Sequence, residues 1–143
     1  MSRRLFQTER NAGLLIEVLR SLVAEHKFRL LDFVIMPNHI HLLMELDGEM
    51  TIEKAMQLVK GRFSYRLKHE FGFQSEIWQR GFSEVQITDE QGIVKSREYI
   101  RQNPVKAGLA QNVDEYPFCF GFLALQKAAS ATKNVVLQGL KPN

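Results

Sequence analysis

Apolar positions along the chain recur with two different periods, and the switches between them mark out the elements. Ala12, Leu15, Ile16, Leu19, Leu22 and Val23 follow steps of three and four, which predicts a helix from a cap at Thr8 or Asn11 to about His26, with Glu9 in its first turn. Phe28 to Met36 is rich in β-favouring residues and stops at Pro37-Asn38, a turn signal. Beyond it Ile40, Leu42, Met44 and Leu46 alternate with His39, His41, Leu43 and Glu45, the period of a half-buried strand. Two strands joined so tightly predict an antiparallel hairpin. Asp47-Gly48 closes the second strand. Thr51 then caps a long helix whose inner face is Ile52, Ala55, Met56, Val59, Phe63 and Leu67, ending before Gly72.

A loop with Gly72, Trp78 and Gly81 leads to a short strand, Glu84 to Thr88, in which Val85 and Ile87 alternate with polar neighbours. Asp89 caps a third helix, Glu90 to Asn103, which Pro104 is expected to end. After Tyr116-Pro117 the residues are small and polar without a clear period. Residues 1–117 therefore read as one domain and 118–143 as a C-terminal tail with partial order. The order helix, strand, strand, helix, strand, helix predicts an α+β fold: a ferredoxin-like βαββαβ antiparallel sheet with helices packed on one face. Its first strand is short or missing, because Leu5-Phe6-Gln7 is too brief to supply it.

Composition narrows the class. The 143 residues, 45% hydrophobic and 24% charged, suffice for one domain with a core. A net charge of +3 does not by itself imply nucleic acid. The single cysteine, Cys119, excludes an internal disulfide and any multi-cysteine zinc site, and suits a reducing compartment. No apolar run approaches a membrane span and the start lacks the apolar segment of a signal peptide, so a cytoplasmic protein is expected, with no membrane partner.

Against this ordinary background two placements carry chemistry. Strand geometry sends His39 and His41 out of the same side of the sheet, ~7 Å apart at their Cα atoms, where they can converge on one ion. The pair alone is equally compatible with a solvated strand face or with histidines bonded to backbone. In the third helix Tyr99 and Asn103 are four residues apart and share a face, while Ile93 and Ile100 mark the buried one. A tyrosine beside an oxygen ligand that shares a metal with two histidines makes a workable phosphodiester-cleaving site. A free phenol is almost entirely protonated at neutral pH, so a metal or a base must assist its deprotonation. Spacing alone leaves Tyr99 as open to a structural role as Tyr65 or Tyr116.

Three motifs then add a family resemblance. Pro37-Asn38-His39-Ile40-His41-Leu42-Leu43, Trp78-Gln79-Arg80-Gly81-Phe82 and Glu98-Tyr99-Ile100-Arg101-Gln102-Asn103-Pro104-Val105-Lys106-Ala107-Gly108-Leu109 resemble, in order, the Y1-type HUH single-strand DNA transposases. The match is closest to the REP-associated tyrosine transposase branch of the IS200/IS605-like family, and it covers roughly residues 5 to 117. The resemblance implies a ferredoxin-like, usually dimeric enzyme that cuts single-stranded DNA beside a hairpin. It implies His39, His41 and Asn103 as ligands of Mg²⁺ or Mn²⁺, and Tyr99 as the nucleophile that becomes joined to a DNA 5′ phosphate. Ligand chemistry alone would tolerate other ions.

The long helix carries Lys54, Lys60, Arg62, Arg66 and Lys68 against Glu53 and Glu70, and Lys54, Arg62 and Arg66, at four- and eight-residue steps, form a basic stripe that fits DNA as well as it fits a solvated face. Lys60, Arg62 and Arg66 are thus candidate DNA contacts, with Arg80 and Lys106 stronger ones because they sit inside the motifs. Trp78 and Phe82 offer rings that can stack on a base or simply pack. Glu84 falls where relatives often have an acidic residue and is a candidate metal support or base. Two departures stand out: relatives begin with a longer first strand, whose loss would leave open sheet edges unless a partner chain supplied one, and Pro117-Phe118-Cys119-Phe120 replaces a Trp-Ser-Ser-like ending. The rival readings are a non-catalytic or decayed binder of folded DNA or RNA on the same scaffold, and a plain metal-binding α+β domain.

Overall fold

The Pro37-Asn38 turn folds β1 (Arg29–Met36) back on β2 (His39–Leu46) as an antiparallel hairpin, with Met36 opposite His39 and a register irregularity between Leu30 and Asp32. A computed structural model describes residues 4–79, 83–112, 115–119 and 134–142, and of these the side chains of residues 83–85 and 134 are left aside. A short 3-10 turn (Leu5–Gln7) precedes α1 (Glu9–Ala24), where a predicted first strand would stand. Thr8 caps α1 by accepting from the Asn11 N–H. α2 (Ile52–Phe71) starts at Thr51 and stops at Gly72, which takes the left-handed conformation (φ 67°) that glycine adopts without steric cost. β3 (Ser83–Ile87), α3 (Glu90–Lys106) and β4 (Asn134–Leu140) complete the described elements.

The four described strands form one antiparallel sheet in the order β1-β2-β4-β3. β4 comes from the stretch that reads as tail, yet it is interior: Ile40 lies opposite Leu140 on one side and Ser83 opposite Gly139 on the other. The inner edges of β2 and β3 are therefore satisfied within this chain. β4 shows no alternation in sequence because both its faces are covered, with Val136 and Leu140 in one core and Val135 in the other.

The helices do not share one face, which corrects that part of the expectation. α1 and α2 cover one side, over a core that includes Leu15, Leu19, Phe33, Leu42, Phe63 and Val136. α3 covers the other, where Ile100 packs with Leu31, Val34, Leu43 and Val135. Both parities of the β1–β2 hairpin are apolar enough to be buried, so each face needs a helix. α3 also runs past its expected end to Lys106, with Pro104 inside it and buried. A proline one turn from a C-terminus forfeits only one ladder bond, and the Leu109 N–H returns to the Pro104 carbonyl at 2.9 Å.

Candidate nucleotidyl-transfer site

The division of helices builds the site, because the face that α3 covers is the face from which His39 and His41 project. The two imidazole centroids are 4.9 Å apart, and the Tyr99 ring stands edge-on to His41 at 5.1 Å. Strand pleat supplies the first distance, and the seating of α3 supplies the second. That seating rests on buried Ile100 and Ser96 and on Arg97, whose guanidinium donates to the Leu31 carbonyl at 3.1 Å. Burial pushes the Asp32 carboxyl up from its ordinary range, and the charges of Arg101 and Arg97 oppose that shift. These two arginines flank Tyr99 by two positions and face the same buried carboxyl of β1.

Orientation of the donors follows from their hydrogen bonds. The Asn38 side-chain oxygen lies 2.8 Å from His39 Nδ1, so that nitrogen carries the proton and Nε2 keeps its lone pair. Asn103 Nδ2 donates to the Tyr99 carbonyl at 2.7 Å, which turns Oδ1 toward His39 Nε2 at 3.5 Å. Two lone pairs then face each other across a gap that suits a shared cation better than a hydrogen bond. Burial lowers the pKa of His39, with a contact to Asn103 opposing it and Lys141 adding to it. Burial likewise takes His41 down to about 4, reinforced by His39 and Lys141 and opposed by a hydrogen bond to the Gln138 backbone. Both rings are neutral at pH 7, the state a metal ligand requires. Among the described residues no group of three His, Cys, Asp or Glu is placed to hold a metal, and the Asn103 amide oxygen is the oxygen donor that lies nearest His39 Nε2, at 3.5 Å. Two imidazoles and one amide oxygen would fit a divalent ion with positions left open, without selecting which ion.

The imidazoles open into a cleft of about 480 Å³ lined by Asn38 of the turn, His39 to His41 of β2, Gly139 and Leu140 at the end of β4, Lys141 just beyond it, and Tyr99. Tyr99 is 48% exposed, free to meet a ligand. The other two tyrosines are committed elsewhere. Tyr116 is buried, donates to the Ile35 carbonyl at 2.6 Å and is pushed up to about 12 by burial, and Tyr65 stacks on His69.

The remaining candidates are dispersed. Arg62 donates to both oxygens of Glu25 and to Ser21, and Arg66 to Glu70 and Glu17, all on the α1–α2 side of the sheet. Lys60 is half-buried on α2, with Nζ 3.5 Å from the Gln79 carbonyl and its pKa lowered by burial. Trp78 donates to the Lys60 carbonyl and packs on Phe6 and Phe63, which makes it a core ring. Lys106 is exposed in the last turn of α3, where its charge suits the helix terminus. Glu84 stands opposite Gln138 in the β3–β4 ladder, its side chain not among those described; Arg80 and Phe82 lie outside the described residues. The sequence points to Asn38 only as a turn residue and to no role for Arg97, Gln138 or Lys141. Asn38 and Arg97 adjoin residues already singled out, whereas β4 carries no such signal.

Comparison with known proteins agrees with this geometry. A family model described as "Transposase IS200 like" matches residues 1–103. A Haemophilus influenzae protein named "Putative REP-associated tyrosine transposase" is 33% identical over 103 residues, covering 65% of this chain and 58% of the relative. The chain thus spans less than two thirds of the length of that relative. No solved structure matches.

Proposed function

Since the chain belongs to the IS200-like transposase family, we propose that it cuts and rejoins single-stranded DNA beside hairpins, with Tyr99 as nucleophile and Mg²⁺ or Mn²⁺ as cofactor. The observation that carries this reading is the seating of the Tyr99 ring, and no other described tyrosine, 5.1 Å from the His41 ring of the His39–His41 pair. His39, His41 and Asn103 would hold the ion, whose chemistry is to polarise the phosphate and neutralise charge on its non-bridging oxygens.

In the reaction the Tyr99 phenol loses its proton and its oxygen forms an ester with the scissile phosphorus. The bond from phosphorus to the leaving 3′ oxygen breaks, and that oxygen takes up a proton to become a 3′ hydroxyl. The 5′ phosphate stays on Tyr99, so a second 3′ hydroxyl can reverse the step on a different strand without ATP. The hydrogen bond from Asn103 to the Tyr99 carbonyl couples ligand and nucleophile on one helical turn, fixing their separation before substrate arrives. The half-exposed ring leaves the attacking oxygen accessible from the cleft.

The test is incubation of the full chain with a hairpin-bearing single strand labelled at its 3′ end, with Mn²⁺ or Mg²⁺, beside Tyr99→Phe. A metal-dependent covalent adduct carrying the 3′ label, absent from Tyr99→Phe, is the expected result. Binding without an adduct under either ion would instead identify a non-catalytic binder on the same scaffold.

A further inference from the structure

We propose that Lys141, delivered by β4, is a phosphate-binding residue of the cleft that holds the DNA backbone against Tyr99. This rests on the single-strand DNA reading above. β4 runs between β2 and β3 in a register that sets Gly139 opposite His41 and Leu140 opposite Ile40, so the next residue emerges at the mouth of the cleft beside His39. Its backbone is pinned, since the Gln79 N–H donates to the Lys141 carbonyl at 3.1 Å and Pro142 bridges to Trp78. Its side chain is exposed.

Charge decides what such a lysine can hold. Among the described residues no carboxylate lines the cleft or pairs with Lys141. Lys141 is near enough to both imidazoles to act electrostatically on each. A cation at the mouth of the cleft, with the Tyr99 ring centroid 5.1 Å from that of His41, selects an anion that reaches the nucleophile. A DNA phosphodiester has that charge and shape. The arginines of α2 cannot substitute, being paired with glutamates across the sheet.

The test uses the full chain in a Tyr99→Phe background, so that binding is separated from cleavage, with a fluorescent hairpin-bearing single strand titrated over a range of NaCl. Each phosphate contact adds about 0.7 to the slope of log K against log salt for single strands. Lys141→Gln should reduce that slope by about 0.7 and weaken binding several-fold, Lys141→Arg should restore both, and Lys68→Gln, the same charge change on α2, should change neither. Mn²⁺ binding without DNA should survive Lys141→Gln or tighten, because a neighbouring positive charge has gone. An unchanged slope in Lys141→Gln, or loss of Mn²⁺ binding with it, overturns the proposal and leaves the DNA reading standing. Failure of the parent chain to bind any single strand overturns both.

Discussion

Replacing His41 by glutamine should flatten the pH dependence of stability, by an amount that follows from its burial. The imidazole falls from 6.5 to about 4 in the folded chain, because β2, β4 and α3 remove it from water and place His39 and Lys141 nearby. Between those values the unfolded chain binds the proton and the folded chain does not. Stability contributed by the neutral ring is therefore complete above pH 6.5 and is lost as pH falls toward 4. One pKa unit corresponds to about 1.4 kcal/mol, so from pH 7.5 to 4.5 this residue alone removes about 2.5 kcal/mol. Urea unfolding at half-unit steps of pH, with chelator present, should show the parent losing about 2.5 kcal/mol more than His41→Gln over that range. His39 titrates in the same direction but remains in both proteins. Parallel curves would refute the reasoning, because they would mean that His41 is hydrated in the folded chain and that neither β4 nor α3 closes over it.

Four further outcomes follow. Asn38→Ala frees the His39 ring and should weaken Mn²⁺ binding about 10- to 100-fold by calorimetry while the melting temperature barely moves. Leu42→Ala, at a fully buried position under α1 and α2, should cost about 2–5 kcal/mol in urea unfolding. A fragment ending at Pro117 lacks β4 and should show no cooperative thermal transition by circular dichroism, since it exposes the facing edges of β2 and β3. Arg62→Ala and Arg66→Ala should leave single-strand affinity nearly unchanged in anisotropy titrations, because both guanidiniums are already compensated by glutamates on the far side of the sheet.

What the sequence determined by itself is local. Helix periodicity, the caps at Thr8, Thr51 and Asp89, and the Pro37-Asn38 turn depend on residues within a few positions of each other, and the structure reproduces each. The same holds for the site's two halves: a two-residue strand step puts His39 beside His41, and a four-residue helical step puts Tyr99 beside Asn103. Which tyrosine meets the histidines was a matter for tertiary structure, because it depends on α3 crossing the face opposite α1 and α2. So was part of the ion pairing on α2, where Glu25, 37 positions away, takes Arg62, and Glu17, 49 positions away, joins the local Glu70 on Arg66. β4 is the clearest case. A strand buried on both faces has no alternation to betray it, and its partners, β2 and β3, are set by the open edges they share rather than by anything near it in sequence. That nonlocal pairing is what carries Gly139 and Lys141 into the cleft, a placement no periodicity in the chain encodes.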